Sequence, residues 1–281
     1  MYKLIHFLTP HSFITLIIGK ISHSNIKWLK NFLINIFIGI YKPNMEEAIF
    51  SEIDKYPNFN SFFIRELNYS KRPILPNDTI ILSPVDGKIS DYGNMEEDTL
   101  IQAKKFRYTA SNLLSDVTIS RDLQLCSFVT LYLSPEDYHR IHAPVAGVIK
   151  KTKYIPGSLY SVNESAQKNI PSLYLRNERA WMQIENKQFP YILVFIGASI
   201  VRSIIPFWLN SNSINHNNIL DAWNCGPSIN ESNVTQAQYL AHFSMGSTVI
   251  MLLPKKISAN QLNISQEQKV KFGSPLLNYD K

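Results

Sequence analysis

The sequence predicts an α+β protein in which a short helical N-terminal region precedes a mainly antiparallel β domain. Three observations carry this. The 281 residues are 45% hydrophobic and 12% aromatic, ample for a sizeable buried core. Apolar residues recur at helical spacing ahead of residue 44. Beyond about residue 70 the apolar runs become short, rich in β-branched and aromatic residues, and bounded by Pro, Gly, Asn or Ser.

In the N-terminal region Ile26, Leu29, Leu33, Ile36, Phe37 and Ile40 mark one helical face. Lys27, Asn31 and Asn35 step by four along the other, Ser24 is a plausible N-cap, and Lys42-Pro43 a stop. Residues 1–44 carry five lysines (Lys3, Lys20, Lys27, Lys30 and Lys42) and no acid. Neither apolar run there, 13–18 or 32–38, approaches the ~20 residues a spanning helix needs. No small-residue cleavage site follows the first run, which argues against a signal peptide. An apolar helix whose only charges are positive suits an interface with anionic lipid. A second amphipathic stretch is expected over 45–55.

The expected strands are 79–82, 128–133, 148–155, 181–184, 191–200 and 248–253, with a short helix starting near 112–114. The Asn- and Ser-rich stretch 210–236 reads as a long surface excursion. The expected division is a helical, membrane-associating region, 1–58, and a β-rich catalytic domain, 59–281.

Lys and Arg outnumber Asp and Glu by 28 to 22, giving a net charge of +6 and favouring an anionic partner. No aromatic-interleaved basic pattern points to nucleic acid. The two cysteines, Cys126 and Cys225, lie far apart and form neither a disulfide framework nor a zinc motif.

Three segments carry candidate chemistry. Asp86 sits in Ser83-Pro84-Val85-Asp86-Gly87, just after an apolar run, where an ordinary turn aspartate is the simple reading. His139 and His142 lie in Tyr138-His139-Arg140-Ile141-His142-Ala143-Pro144. Their spacing differs from the i, i+4 pair of helical metal sites and no third ligand lies nearby, so no metal is expected and acid–base work fits better. Ser247 lies in Met245-Gly246-Ser247-Thr248 at a strand entrance, where a turn is again the simple reading. Together Asp86, His142 and Ser247 supply the acid, base and nucleophile that activating a serine requires, provided the fold brings them together.

Taken with Phe59, Phe62-Phe63 and Arg65, and with Pro156-Gly157-Ser158, Arg176-Asn177-Glu178-Arg179 and Gly197-Ala198-Ser199, these segments resemble bacterial phosphatidylserine decarboxylase in motif and order. Met245 departs from the leucine usual in that family, and Tyr239 and Ala241 from a Glu and a Gly. The resemblance implies a catalytic domain like the barrel-sandwich hybrids. It also implies self-cleavage between Gly246 and Ser247 into a β subunit, 1–246, and an α subunit, 247–281. Ser247 would attack the Gly246 carbonyl, with His142 as base and Asp86 orienting it. A pyruvoyl group would form at residue 247 and, through a Schiff base, convert phosphatidylserine to phosphatidylethanolamine and CO2, with His139 serving the decarboxylation stage. The expected setting is peripheral, on the cytoplasmic side of the cell membrane, with phosphatidylserine in an anionic bilayer as partner and assembly into a higher homo-oligomer left open. Two other readings remain: a serine hydrolase that uses the same residues uncleaved, and a processing-dead lipid-binding protein.

Overall fold

The structure, a computed structural model, describes residues 19, 21–74, 77, 79–102, 105–198, 204–209, 215–244, 247–258 and 264–278. Helix α1 spans Lys27–Tyr41. Its N-cap is Ile26 rather than the expected Ser24, because Ser24 Oγ accepts only the Ile26 N–H, at 3.4 Å. It stops where Lys42 turns left-handed ahead of Pro43. Ile34 and Phe37 bury against Phe59, Phe62 and Phe63 of the short helix α2 (Phe59–Phe63). This cluster joins the two sides of the expected division at 58/59. Lys30 is buried too, and its ammonium donates to the carbonyls of Tyr56 at 2.8 Å and Ile53 at 3.3 Å. The apolar face therefore divides. Ile36 and Ile40, expected with the core face, stand exposed with Trp28 and Phe32, and the four form a stripe at four-residue intervals. The stretch 45–55 is no helix; it holds turns, a bridge from Ala48 to Leu67 and a 3-10 turn, Ile53–Lys55.

The strands are, in order, β1 (Ile80–Leu82), β2 (Gly87–Asn94), β3 (Thr99–Gln102), β4 (Phe106–Thr109), β5 (Ser127–Leu133), β6 (Arg140–His142), β7 (Gly147–Ile155) and β8 (Arg179–Glu185). Then come β9 (Pro190–Ile196), β10 (Ile204–Pro206), β11 (Asn233–Val234), β12 (Tyr239–Phe243), β13 (Ser247–Leu253), β14 (Lys269–Val270) and β15 (Pro275–Asn278). Every pairing between strands is antiparallel. The main sheet runs β11-β7-β8-β9-β13-β5-β2-β14, and a three-stranded sheet runs β10-β12-β6. Both are open, with no closed barrel among the described residues.

The middle of the main sheet is covered on both faces, which is why β5, β9 and β13 read as unbroken apolar runs. In β13, Val249, Met251 and Leu253 enter one core with Ile141, Leu240 and Phe243 of the smaller sheet. Ile250 and Leu252 enter a second core, against Leu113 and Leu114 of α3 (Ala110–Leu114) and Ile119 of α4 (Val117–Asp122). Helices α5 (Glu164–Asn169) and α6 (Leu173–Arg176) join this second side. The described part of the expected excursion 210–236 instead contains α7 (His216–Cys225), whose Ile219 and Trp223 bury in the first core. The Asn215 side chain caps it by accepting the Asn218 N–H.

Candidate active site

Ser247 opens β13 and is fully buried, because β13 is bonded along both edges. It faces Leu133 at the end of β5, and its neighbour Thr248 faces Ile196 at the end of β9. Its Oγ has no hydrogen-bond partner among the described residues. A hydroxyl kept from water and unbonded is costly, so its retention calls for an explanation. Met245 and Gly246, the other half of the expected cleavage point, lie outside the described residues.

The loop leaving β5 brings the histidines to the same end of the sheet. The Phe243 N–H donates to the His139 carbonyl at 3.1 Å, and β12 pairs Tyr239 with His142. His139 is fully buried against the Phe63 ring, centroids 4.2 Å apart. Its Nδ1 lies 2.9 Å from the Asp137 carbonyl and so carries the proton, while Nε2 has no partner among the described residues. His142 is held the same way, Nδ1 to the Ala237 carbonyl at 2.8 Å, but its Nε2 meets the Tyr138 hydroxyl at 2.8 Å.

Asp86 does not hydrogen-bond His142. Backbone carbonyls, not a carboxylate, fix both imidazole tautomers. The Asp86 carboxylate instead takes Arg72, Nη1 at 2.5 Å and Nη2 at 3.0 Å, and the Phe272 N–H at 2.7 Å. The Phe272 ring stacks on His142, centroids 3.8 Å apart and planes 19° apart. Asp86 thus positions His142 at one remove, by fixing the residue that packs on it. Arg72, Tyr138 and Phe272 were not assigned roles from the sequence. Their nearness to the site arises from tertiary pairing, and only Tyr138, within the histidine segment, stood beside a recognised motif.

Comparison with known proteins gives the chain's family. A family model described as phosphatidylserine decarboxylase matches residues 59–278, and a second, described as PSD, matches residues 4–42. The phosphatidylserine decarboxylase proenzyme of Francisella philomiragia is 35% identical over 273 residues, covering 95% of this chain and 96% of that protein. The proenzyme of the same name from Polaromonas sp. is 34% identical over 279 residues, covering 97% and 96%. That of Escherichia coli K12 is 34% identical over 276 residues, covering 97% and 85%. The chain belongs to the phosphatidylserine decarboxylase family. Membership makes it an enzyme, a decarboxylase.

The charge state of this decarboxylase's site follows from its dryness. Burial pushes His139 down to about 3 against the pull of the Asp137 carbonyl, with the Arg65 charge adding to the effect. Burial likewise pushes His142 to about 3, against the Ala237 carbonyl and helped by Arg140 and Arg72. His242 falls to about 3 through burial and Arg140. Both site imidazoles are therefore neutral, as bases must be. Asp137 moves the other way, to about 6, chiefly by burial and despite the Ser134 N–H on its carboxylate. Among the described residues no group of three or more His, Cys, Asp or Glu is placed to hold a metal ion.

Buried neutral histidines couple folding to pH. Each binds its proton only in the unfolded chain between its ordinary value of 6.5 and its folded value of about 3, so its contribution is lost as pH falls through that window. Asp137 binds a proton in the folded chain between 3.8 and about 6 and opposes the trend, one group against three. The unfolding free energy by urea titration is expected to fall from pH 7 to pH 5, and His242→Gln is expected to flatten that slope. A stability that rises on acidification, or an unchanged slope in the variant, would contradict the assignment.

Proposed function

We propose that this chain is a self-processing, pyruvoyl-dependent decarboxylase that converts phosphatidylserine to phosphatidylethanolamine and CO2 at a membrane surface. The observation that carries the proposal is Ser247, an unbonded hydroxyl sealed at the start of an interior strand, at the sheet end that also holds two neutral imidazoles. The relatives' name, proenzyme, accords with a chain that must be processed.

In the processing step Ser247 Oγ attacks the Gly246 carbonyl carbon. The hydroxyl proton passes to a base, the C–N bond breaks, and the freed nitrogen is protonated, leaving an ester. Loss of the Ser247 α-proton expels the Gly246 carboxylate, and water then replaces the nitrogen, which departs as ammonia. The base we assign is His142. Its Nδ1–H is fixed, so Nε2 is the basic nitrogen, and Tyr138 must either yield that nitrogen or relay the proton. Asp86 acts by holding Phe272 against the ring.

The pyruvoyl carbonyl formed at residue 247 supplies an electron sink for a substrate amine that loses CO2. Ser247's burial suits it, since a dry site shields a reactive carbonyl from water. His139, with its open Nε2 in an apolar wall, is placed to hold or move the proton that must reach the carbon CO2 leaves.

A diacyl lipid stays in its bilayer, so the enzyme must go to it. No helix among the described residues is long and apolar enough to cross a membrane. The stripe Trp28, Phe32, Ile36 and Ile40, exposed by 71%, 58%, 43% and 66%, offers peripheral attachment instead. Each such side chain buried in lipid contributes about 1.5–3 kcal/mol, and Lys27 and Lys42 at the helix ends favour anionic headgroups.

Ser247→Ala is expected to remain one chain on a denaturing gel, whereas the wild type yields the fragment 247–281. His142→Ala should slow cleavage at least about tenfold, and His139→Ala should cleave yet release CO2 about a hundredfold more slowly. A normal fragment from Ser247→Ala would refute self-cleavage at this residue, and one from His142→Ala but not from His139→Ala would transfer the base to His139. For the membrane, Trp28→Asp with Phe32→Asp should weaken flotation with phosphatidylserine vesicles at least about tenfold, from the apolar area lost. Undiminished flotation would place the lipid-binding surface elsewhere.

A further inference from the structure

The chain treats its buried arginines unequally. Arg179 gives its donors to the carbonyls of Leu113, Leu175, Asn177 and Asn112 and to Ser115 Oγ. Arg72 is neutralised by Asp86 and Glu47. Arg65, only 3% exposed, donates one bond, Nη2 to the Glu136 carbonyl at 2.9 Å. Its Nε and Nη1 have no acceptor, and it forms no ion pair among the described residues. The Phe62 ring lies 5.9 Å from its guanidinium carbon. A guanidinium stays charged even where burial disfavours it, so this is a buried cation with two open donors.

Arg65 lines a cavity of about 320 Å³ with Asp86, Asp137, Tyr138 and Lys42. Lys42 caps α1, so the helix with the exposed apolar stripe terminates at the cavity that Arg65 lines. The Asp86 charge is already taken by Arg72. Tyr138 ties the cavity to His142, and the Arg65 charge is felt at His139. The cavity therefore adjoins the candidate chemistry, and its lining carries five basic side chains against four acidic ones, Glu47, Asp86, Glu136 and Asp137.

We propose that Arg65 binds the phosphodiester of the substrate headgroup in this cavity and so positions the lipid for reaction. The inference rests on the phospholipid-decarboxylase reading above and deepens it. The substrate offers two anions, and chemistry chooses between them. A carboxylate about to leave as CO2 loses its charge, so donors fixed on it stabilise the starting state more than the transition state. The phosphodiester keeps its charge throughout and gains from a buried guanidinium at every stage. Cations and acids lining one cavity also suit a headgroup that carries both signs.

The test uses the full-length protein, Arg65→Gln and the charge-keeping Arg65→Lys. Calorimetry would follow glycerophosphoethanolamine, inorganic phosphate and ethanolamine, and CO2 release from phosphatidylserine vesicles would be counted per cleaved chain. Glycerophosphoethanolamine is expected to bind the wild type, with phosphate competing weakly and ethanolamine not at all. Arg65→Gln should weaken that binding and raise KM for the lipid by at least about tenfold, with kcat changed far less, as loss of a charge-assisted bond implies. Arg65→Lys should recover part of the loss, and should fold even if the glutamine variant does not. Unchanged binding and KM in both variants, or a loss confined to kcat, would overturn the proposal. Inorganic phosphate binding as tightly as the diester would overturn the headgroup assignment. Arg65-dependent diester binding by a wild type that releases no CO2 would uphold the site while refuting the decarboxylase reading.

Discussion

Much of this molecule depends on β13 being paired along both edges. Its seven residues are all buried, bonded to β5 over the whole length and to β9 over most of it. A peptide bond broken just before Ser247 would cut the chain at the doorway of its most protected strand. The segment beyond supplies β14 to the main sheet, beside β2, and β15 as partner to β1. Three strands' worth of ladder bonds and apolar packing would hold the two pieces together after cleavage. The fragment would also bring Phe272, whose N–H holds Asp86 and whose ring packs on His142. Both sides of the proposed cut therefore build the site.

The same burial sets the chemistry. A dry sheet end depresses both imidazoles, strengthens every bond made there, and makes an unbonded polar atom conspicuous. Four such atoms, Ser247 Oγ, His139 Nε2 and Nε and Nη1 of Arg65, belong to residues to which the proposals above give a role. Asp137, pushed up to about 6 chiefly by burial, adds a carboxyl that keeps its proton more readily than an exposed one.

Legibility in the sequence followed solvent exposure. Strands β5, β9 and β13 were readable because the middle of a sheet covered on both faces demands apolar runs, and β7 and β8 because their β-branched and aromatic residues mark them even where β7 is partly exposed. Strand β2 was not, since Gly87, Asp91 and Gly93 disguise it and pairing with β5 is what makes it a strand. Gly87 lies so close to β5 that a Cβ there would meet the Tyr132 carbonyl oxygen at 2.4 Å, a constraint no local pattern announces. Helix α7 hid among Asn and Ser because only Ile219 and Trp223 anchor it. In α1 the spacing gave the helix but not the split of its apolar face, since Leu29, Leu33, Ile36 and Ile40 look alike until α2 packs against one side. The site residues Asp86, His139, His142 and Ser247 stood out by type and by order. Their wiring did not, because Arg72 to Asp86 and Phe272 to His142 are contacts between distant segments.

The measurement closest to the central claim is the intact mass of the purified protein, taken with and without borohydride. The account predicts two chains parting between Gly246 and Ser247, the smaller beginning with a ketone in place of its serine amine and gaining the mass of a hydrogen molecule on reduction. Active protein that weighs as one unbroken chain, with an ordinary serine at residue 247 and no change on reduction, would contradict it.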